Sequence, residues 1–415
     1  MKKFVIIVVV VLAIIAGISV YLIATTPSEP RGVQFPLTGE QKTLVASVPA
    51  TAESFALVPT VAAVQSRLLA NPATHDAVEE WMTKQDFPPS WVIGGADVLV
   101  YRAGKQTNYL VRLDPLRALI ARTMLMVYGD TGSRVLINAP SEAPIAQSDL
   151  APLLDLMNGL PRGEALVVQR EGSHGSFPPL ARPAVSSIHI TSDAIDIVSR
   201  SSGGQAPAPI QTGEAPLLHV RYPRSALLTF ATSSASREIE DANRLIGARA
   251  SMLLRDGGAI ALYDVDTDKL LPRPREVIVL PATPERRAAL DEFLHKAIPE
   301  EVRDVAGIHL ETAELNGELL VAFERKSLDA YIKDVFDAPL LPANRWSVRI
   351  DPQRAAPLLD QIVESPGLRL MSPHLFRSVR DLNDWLGTLS KARSIEAAAS
   401  TSGTSEELRV HIATK

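Results

Sequence analysis

The sequence contains no cysteine, and aromatic residues make up only 5% of its 415 positions. The absence of cysteine excludes disulfide bonds, thiolate metal ligands and a thiol nucleophile. Acidic and basic residues are interspersed, with a net charge of −5, so no basic stripe is present that could follow a phosphate backbone. Nucleic acid is therefore not an expected partner.

The sequence motifs of common catalytic sites are also missing. The chain has no G-x-S-x-G, no P-loop, no G-x-G-x-x-G and no H-E-x-x-H. None of its eight histidines lies three or four residues from another, so no helical pair of histidine ligands exists. We predict no catalytic residue, no cofactor, no cofactor-binding residue and no metal ligand.

Two short patterns resemble functional sites without meeting their requirements. His174 lies in the loop Gly172–Ser176 beside two serines, but adjacent loop residues rarely hold the geometry of a nucleophile and its base. Asp264, Asp266 and Asp268 alternate as calcium ligands do. Lys269 and Arg275, however, stand where an EF-hand loop has glycine and glutamate, so we interpret this segment as an acidic turn.

The N-terminus carries a long apolar run. The 21 residues from Phe4 to Ala24 are uncharged and as a helix would cover about 30 Å, the thickness of a bilayer core. Lys2 and Lys3 precede the run, whereas the next basic residue is Arg31. This bias predicts a cytoplasmic N-terminus and an extracytoplasmic body, which is periplasmic if the source is Gram-negative.

The alternative interpretation of this run is a cleaved signal peptide. Cleavable apolar cores usually have roughly 7–15 residues and end in a small-x-small site. Here the run is longer, and Leu22 occupies a position where a small residue is needed. We therefore predict an uncleaved single-pass signal anchor over residues 1–24.

Composition predicts the remaining domain organisation. Residues 25–47 are rich in Pro and Gly and read as a spacer, and residues 201–216 have the composition of a linker between two lobes. The lobes then cover residues 48–200 and 217–415. Two lobes are expected because the 368 residues from Val48 onward exceed what one core normally serves.

Alternating strand and helix signals predict an α+β fold for both lobes. Residues 97–113 and 308–324 read as hairpins, the second around Asn316-Gly317, whose residues both tolerate the positive φ of a tight turn. Residues 185–198 and 395–412 read as further strand pairs, one near the end of each lobe.

The order of these elements recurs and predicts a tandem duplication. Hairpin 97–113 and strand 134–137 match hairpin 308–323 and strand 346–350. A following helix in each lobe contains Ala-Pro-Leu-Leu-Asp, at residues 151–155 and again 205 positions later. The closing strand pairs begin 210 positions apart.

A second short sequence occurs at two strand-to-helix junctions. Val111–Pro115 and Val348–Pro352 each end in Asp-Pro. The aspartate can accept the free N–H groups of the helix, and proline lacks the N–H that would have no partner. We predict that both Asp-Pro pairs are structural.

Four further features of the sequence belong together: Val48-Pro49-Ala50, Ser54–Pro59 with the helix that follows to Asn71-Pro72, Asn316–Ala322 leading into Ser327, and the closing strand pairs. Together they resemble a bacterial family of exported, membrane-anchored proteins known only as a domain of unknown function. The resemblance extends over most of residues 48–415. It implies an α+β extracytoplasmic body, and it supplies no catalytic residues.

The sequence thus predicts a non-catalytic, membrane-anchored extracytoplasmic binding or structural protein. Its expected partners are the membrane, through residues 4–24, and either another envelope protein or an apolar ligand. The alternative is an envelope hydrolase whose Ser, His and Asp residues come together only in the folded chain.

Overall fold

The computed structural model describes residues 31–84, 93, 95–103, 106–128, 134–137, 146–170, 183–202, 221–233, 257–266, 273–296, 310–364, 380, 383, 386–387, 389, 391–402 and 405–414. The chain divides into two compact units, Met1–Gly204 and Gln205–Lys415, called unit 1 and unit 2 below. Within the described residues, no helix is long and apolar enough to cross a lipid bilayer. The predicted anchor at 4–24 and most of the predicted linker at 201–216 lie outside those residues.

Unit 1 combines a mixed β-sheet with helices. Its strands are β1 (Ser54–Val58), β2 (Val98–Ala103), β3 (Gln106–Val111), β4 (Arg134–Ile137), β5 (Ala165–Gln169), β6 (Ala184–Ile190) and β7 (Ala194–Ser201). Its helices are α1 (Gly39–Ala46), α2 (Val61–Ala70), α3 (His75–Lys84), α4 (Pro115–Tyr128) and α5 (Gln147–Met157). The strand order is β7-β6-β5-β1-β2-β3-β4. Neighbours are antiparallel except β3 and β4, a parallel pair that α4 connects, as a crossover requires.

Unit 1 has two hydrophobic cores, because successive residues of a strand face opposite sides of the sheet. Leu99 and Tyr101 face the larger core, which also contains Leu44 of α1 and Leu153 of α5. Val98 faces the smaller core with residues of α4. Helices therefore pack against both faces of this sheet.

The segment predicted as a spacer differs from that prediction over residues 38–47, where α1 and its flanking residues form. The Thr38 side chain accepts from the Gln41 backbone N–H, and the Gln41 side chain bonds back to the Thr38 backbone. This capping box starts the helix. Leu44 and Val45 are then buried in the larger core of unit 1. The spacer predicted from the Pro and Gly content is therefore wrong for these residues.

Unit 2 contains the remaining strands and helices. The strands are β8 (Tyr222–Pro223), β9 (Leu228–Thr232), β10 (Gly258–Asp266), β11 (Arg273–Pro281), β12 (Glu311–Leu315), β13 (Glu318–Ala322), β14 (Phe336–Asp337), β15 (Trp346–Ile350), β16 (Ser394–Ser402) and β17 (Ser405–Ala413). The helices are α6 (Pro284–Lys296), α7 (Arg325–Lys333) and α8 (Pro352–Glu364). The main sheet has the order β12-β13-β11-β10-β9-β15-β16-β17, all antiparallel, and β8 pairs with β14 separately. The α+β fold class is thus confirmed.

The two units share a strand order that differs in detail from the predicted correspondence. In each, a central strand (β1 or β9) has a hairpin on one side (β2–β3 or β10–β11) and three strands on the other (β5-β6-β7 or β15-β16-β17). Hairpin β2–β3 therefore corresponds to β10–β11, and not to β12–β13 as the sequence suggested. The matching Ala-Pro-Leu-Leu-Asp segments lie in helices that are not equivalent, because α5 precedes β5 whereas α8 follows β15.

The predicted hairpins are confirmed. Residues 97–113 form β2 and β3, and the closing pairs form β6–β7 and β16–β17. Asn316 and Gly317 both have positive φ, 54° and 80°, between β12 and β13, as a tight hairpin turn requires.

Candidate functional site

A cleft in unit 2 has a volume of about 430 Å³. Its lining consists of Arg224, Asp337, Arg349, Asp351, Arg393 and Ser394, called the arginine cleft below. Three arginines against two aspartates leave the lining with one net positive charge. A concave site with excess guanidinium groups is suited to an anion.

Pairing of two very short strands brings the first arginine to the cleft. β8 and β14 are antiparallel, with Asp337 opposite Tyr222. The residue after β8, Arg224, consequently donates from Nε to Asp337 Oδ1 at 2.7 Å. Arg349, on β15, donates to the other carboxylate oxygen at 3.0 Å. One aspartate thus holds two guanidinium groups in place.

The electrostatics of Asp337 follow from these contacts. The hydrogen bond from Arg224, aided by that from Arg349, holds the pKa of the Asp337 carboxyl below its usual range against the opposing effect of desolvation. The carboxylate is therefore charged at physiological pH, and it neutralises part of the charge of its two partners. A ligand anion would have to compete with it for Arg224 and Arg349.

Arg393 differs from these two arginines. It is exposed where β16 begins, and its guanidinium group has no hydrogen-bond or ion-pair partner among the described residues. The neighbouring Ser394 hydroxyl likewise has none in that part of the chain. Arg393 is therefore the cation in the lining whose charge is not already engaged.

Behind the cleft lies an in-register row of polar side chains. Arg349 on β15 stands opposite Glu396 on β16, which stands opposite His411 on β17. Glu396 is 3% exposed and accepts from the Leu341 backbone N–H at 2.8 Å. Burial raises the pKa of the Glu396 carboxyl, whereas the N–H groups of the 340–341 loop, Arg349 and His411 oppose the shift.

Arg349 also lies over an aromatic ring. Its guanidinium carbon is 5.8 Å from the centroid of Tyr222, within cation–π range. Tyr222 is fully buried, and desolvation raises its pKa to about 12. The phenol is thus neutral at physiological pH and serves as a packing surface that fixes the orientation of Arg349.

The predicted junction at Val348–Pro352 contributes two of the lining residues. As predicted, Asp351 caps α8, since its Oδ1 accepts from the Arg354 backbone N–H at 3.2 Å. Arg224 and Arg393 were missed, because strand pairing between distant residues brings them to the cleft. Arg349 and Asp351 are two positions apart at the end of a strand, so they lie on the same face of the sheet. This spacing was the sequence signal that could have indicated the cleft.

Of the candidates weighed in the sequence, Asp264 and Asp266 are not among the residues that line the cleft. His174 lies outside the described residues. Asp264 and Asp266 lie on β10, where Asp264 is paired with Arg275 at 3.3 Å; Asp268 is not among the described residues. In the described part of the chain, no group of three His, Asp or Glu side chains is arranged to hold a metal ion.

A separate charged cluster lies in unit 1 around Glu164. This carboxylate is 6% exposed and accepts from Arg67 at 2.7 Å, from the Ile190 N–H at 2.7 Å, and contacts His189 Nδ1 at 2.8 Å. Ser187 shares the face of His189 on β6, but it is buried and donates to the Pro161 carbonyl at 2.8 Å. The cluster fastens α2 to the sheet, and Ser187 is not placed as a nucleophile.

Comparison of the chain with protein-family models, with curated proteins and with solved structures finds no match. The resemblance to a family of exported proteins therefore stays a prediction.

Proposed function

We propose that this chain is a membrane-anchored extracytoplasmic binding protein that takes a small acidic ligand in the arginine cleft. The observation that carries the proposal is the convergence of three guanidinium groups on one cleft, of which Arg393 is not engaged by any described residue. Arginine presents a planar fork of donors that matches carboxylate and phosphate groups.

The size and lining of the cleft support a small polar ligand. About 430 Å³ falls within the range of roughly 300–1,000 Å³ that is usual for small-molecule sites. The lining is charged, which favours an anion over the apolar ligand expected from the sequence. Asp337 and Asp351 would orient such a ligand by repelling its negative groups from one side.

The membrane part of the proposal is supported by the sequence alone. The uncharged run from Phe4 to Ala24 and the two lysines before it favour a retained helix with the N-terminus in the cytoplasm. Both units would then lie outside the cytoplasm. The shared strand order supports the further proposal that the two units arose by duplication.

Two substitutions with opposite expected effects test the binding site. In titration calorimetry of the full-length chain in detergent with succinate as the probe, Arg393→Gln should weaken binding roughly tenfold, because a charge-assisted hydrogen bond is lost. Asp337→Asn should tighten binding, because the competing negative charge is removed from Arg224 and Arg349.

Arg409→Gln is the matched control. Arg409 is exposed on β17 and pairs with Glu407 at 2.7 Å, outside the cleft lining. Arg409→Gln removes one positive charge from unit 2, as Arg393→Gln does, and should leave the affinity for succinate unchanged. Equal affinities in the wild type, Arg393→Gln and Asp337→Asn would contradict the proposal.

The second candidate, an envelope hydrolase, has one observation in its favour. Glu164 orients His189, whose side chain is 44% exposed, through Nδ1, as a carboxylate orients a catalytic base. An esterase activity of the wild type that is lost in His189→Gln, together with no binding of succinate by the wild type, would favour the hydrolase over the binding protein.

A further inference from the structure

Unit 1 contains a second arginine-lined cleft, with a volume of about 200 Å³. Three of its lining side chains are cationic, namely Arg31, Arg112 and Arg117, and one, Asp114, is anionic. Gly95 and Ala96 form part of the wall, so little side-chain bulk stands in the way of a ligand. The three arginines come from separate segments: the residues before α1, the end of β3 and the first turns of α4.

The same seven-residue pattern contributes lining residues to both clefts. Val111–Arg117 and Val348–Arg354 each read Val-Arg-x-Asp-Pro-x-Arg, with Leu113 in the first and Ile350 in the second at the third position. Helix capping accounts for the Asp and the Pro, but it does not require either arginine. In both units the first arginine lines the cleft. In both, the second lies near the capping aspartate, at 3.5 Å for Arg117 and 4.0 Å for Arg354.

The site in unit 1 is held in shape before any ligand arrives. The Arg117 side chain is 5% exposed, and its NH1 group reaches the Ile93 carbonyl at 3.4 Å. Asp114 is committed to capping, since its Oδ1 accepts from the N–H groups of Leu116 and Arg117 at 3.0 Å each. A buried charged side chain whose position is fixed lowers the entropy lost on binding.

The other two arginines supply exposed charge. The backbone of Arg31 is fixed on both sides, because its N–H donates to Thr60 Oγ1 at 3.1 Å and its carbonyl accepts from Arg162. Arg112 is exposed, and no described residue engages its guanidinium group. Three arginines and one aspartate line the cleft, and Asp97 interacts with Arg31 from outside this lining, so an excess of positive charge remains. The cleft is smaller than the roughly 300 Å³ that sites for most metabolites occupy.

We propose that the unit 1 cleft binds a single phosphate group, supplied by a phospholipid headgroup or by free phosphate. A phosphate monoester carries a charge of about −1.5 to −2 at neutral pH, opposite in sign to the excess charge of the lining. A lipid source rests on the anchor proposed above. Arg31 follows Ala24 by seven residues, so the chain can place it at most about 25 Å from the end of the membrane helix.

Local arginine reactivity in the full-length chain tests this site. The rate of phenylglyoxal modification of Arg112 is measured by peptide mass spectrometry, with exposed Arg122 of α4 as the internal control. One arm adds inorganic phosphate to the chain in detergent. The other compares nanodiscs of phosphatidylcholine with nanodiscs that also contain phosphatidic acid, whose headgroup is a phosphate monoester.

Phosphate should protect Arg112 and leave Arg122 reactive, and Arg31→Gln should raise the phosphate concentration needed for protection roughly tenfold. In Arg122→Gln, the matched charge control, phosphate should protect Arg112 as it does in the wild type. Protection by phosphatidic acid as well identifies a lipid headgroup, and protection by free phosphate alone identifies a soluble source. The proposal would be overturned if Arg112 reacted equally fast with and without phosphate and anionic lipid, or if protection were unchanged in Arg31→Gln. Neither result would affect succinate binding at the arginine cleft, which tests the proposed function separately.

Discussion

Glu276 lies on β11, opposite Leu262 of β10, and shares a face with Ile278 and Leu280. No described residue forms an ion pair or hydrogen bond with its carboxyl group. Desolvation alone raises the pKa of Glu276 to about 7. A desolvated carboxyl of this kind makes the stability of the folded chain depend on pH.

The sign of that dependence follows from the raised pKa. Between pH 4.5, the unperturbed pKa, and about pH 7 the folded state holds a proton that the unfolded state has lost. The free energy of unfolding should therefore fall as pH rises through this window, by at most about 3 kcal/mol. Glu276→Gln should remove this fall and be more stable than the wild type at pH 8.

Urea denaturation of both chains across this pH range measures the effect. Glu364→Gln, which removes an exposed acid at the end of α8, should keep the wild-type pH dependence. An unchanged pH profile in Glu276→Gln would show that this carboxyl is better solvated than its burial implies.

Two glycines differ in why they resist substitution. A Cβ on Gly163 would lie 2.4 Å from Ser187 Oγ and 2.5 Å from the Ile188 carbonyl oxygen, whereas one on Gly317 would meet nothing within 4 Å. Gly317 has φ of +80° instead, so Gly317→Ala should cost about 1–2 kcal/mol of backbone strain.

Gly163→Ala should be the more destabilising of the two, because the Ile188 carbonyl belongs to a strand that cannot move freely. Urea denaturation of the two variants compares them directly. A smaller loss for Gly163→Ala than for Gly317→Ala would contradict the close packing of Gly163 against β6.

At the scale of elements, the Asp-Pro junctions are the most direct success of sequence reasoning. Asp114 caps α4 with two hydrogen bonds at 3.0 Å, and Asp351 caps α8 with one at 3.2 Å. Asp114→Ala should therefore lower the free energy of unfolding by roughly 1–2 kcal/mol, and Asp351→Ala by less. Asp114→Ser, which keeps a capping oxygen, should retain most of the stability in urea denaturation.

Other elements were missed for identifiable reasons. The Thr38–Gln41 capping box was a readable signal for α1, but the surrounding Pro and Gly residues outweighed it. Ser327 has the side chain of a typical N-cap, yet α7 begins at Arg325 and Glu324 is the N-cap. The Ser327 hydroxyl donates to Glu324 Oε1 at 3.0 Å, three residues back.

The arginine cleft could be predicted only in part. Arg349 and Asp351 stood in a recognisable strand-to-helix sequence, and the arginine three residues after each capping aspartate was a further repeat that could have been noticed. Arg224 and Arg393 reach the cleft through the pairing of β8 with β14 and the register of β15 with β16. Such pairings join residues more than 40 positions apart, and local sequence patterns do not specify them.

At the scale of the whole molecule, the two units share a strand order, which is the observation that supports the proposed duplication. Local identity was misleading here, because a five-residue match joined two helices that are not equivalent. The order of strands is a stronger criterion, since it depends on the whole of each unit.

The position of both clefts outside the cytoplasm is the central claim, and the absence of cysteine makes it directly measurable. Single cysteines are introduced by Ser192→Cys, in the exposed turn between β6 and β7, and separately by Lys2→Cys, with the cysteine-free wild type as the blank. A membrane-impermeant maleimide is then applied to intact cells. The account predicts that Ser192→Cys is labelled in intact cells and stays with the membrane fraction, whereas Lys2→Cys is labelled only after the membrane is permeabilised. Labelling of Lys2→Cys but not Ser192→Cys in intact cells, or recovery of the chain in the soluble fraction, would contradict it.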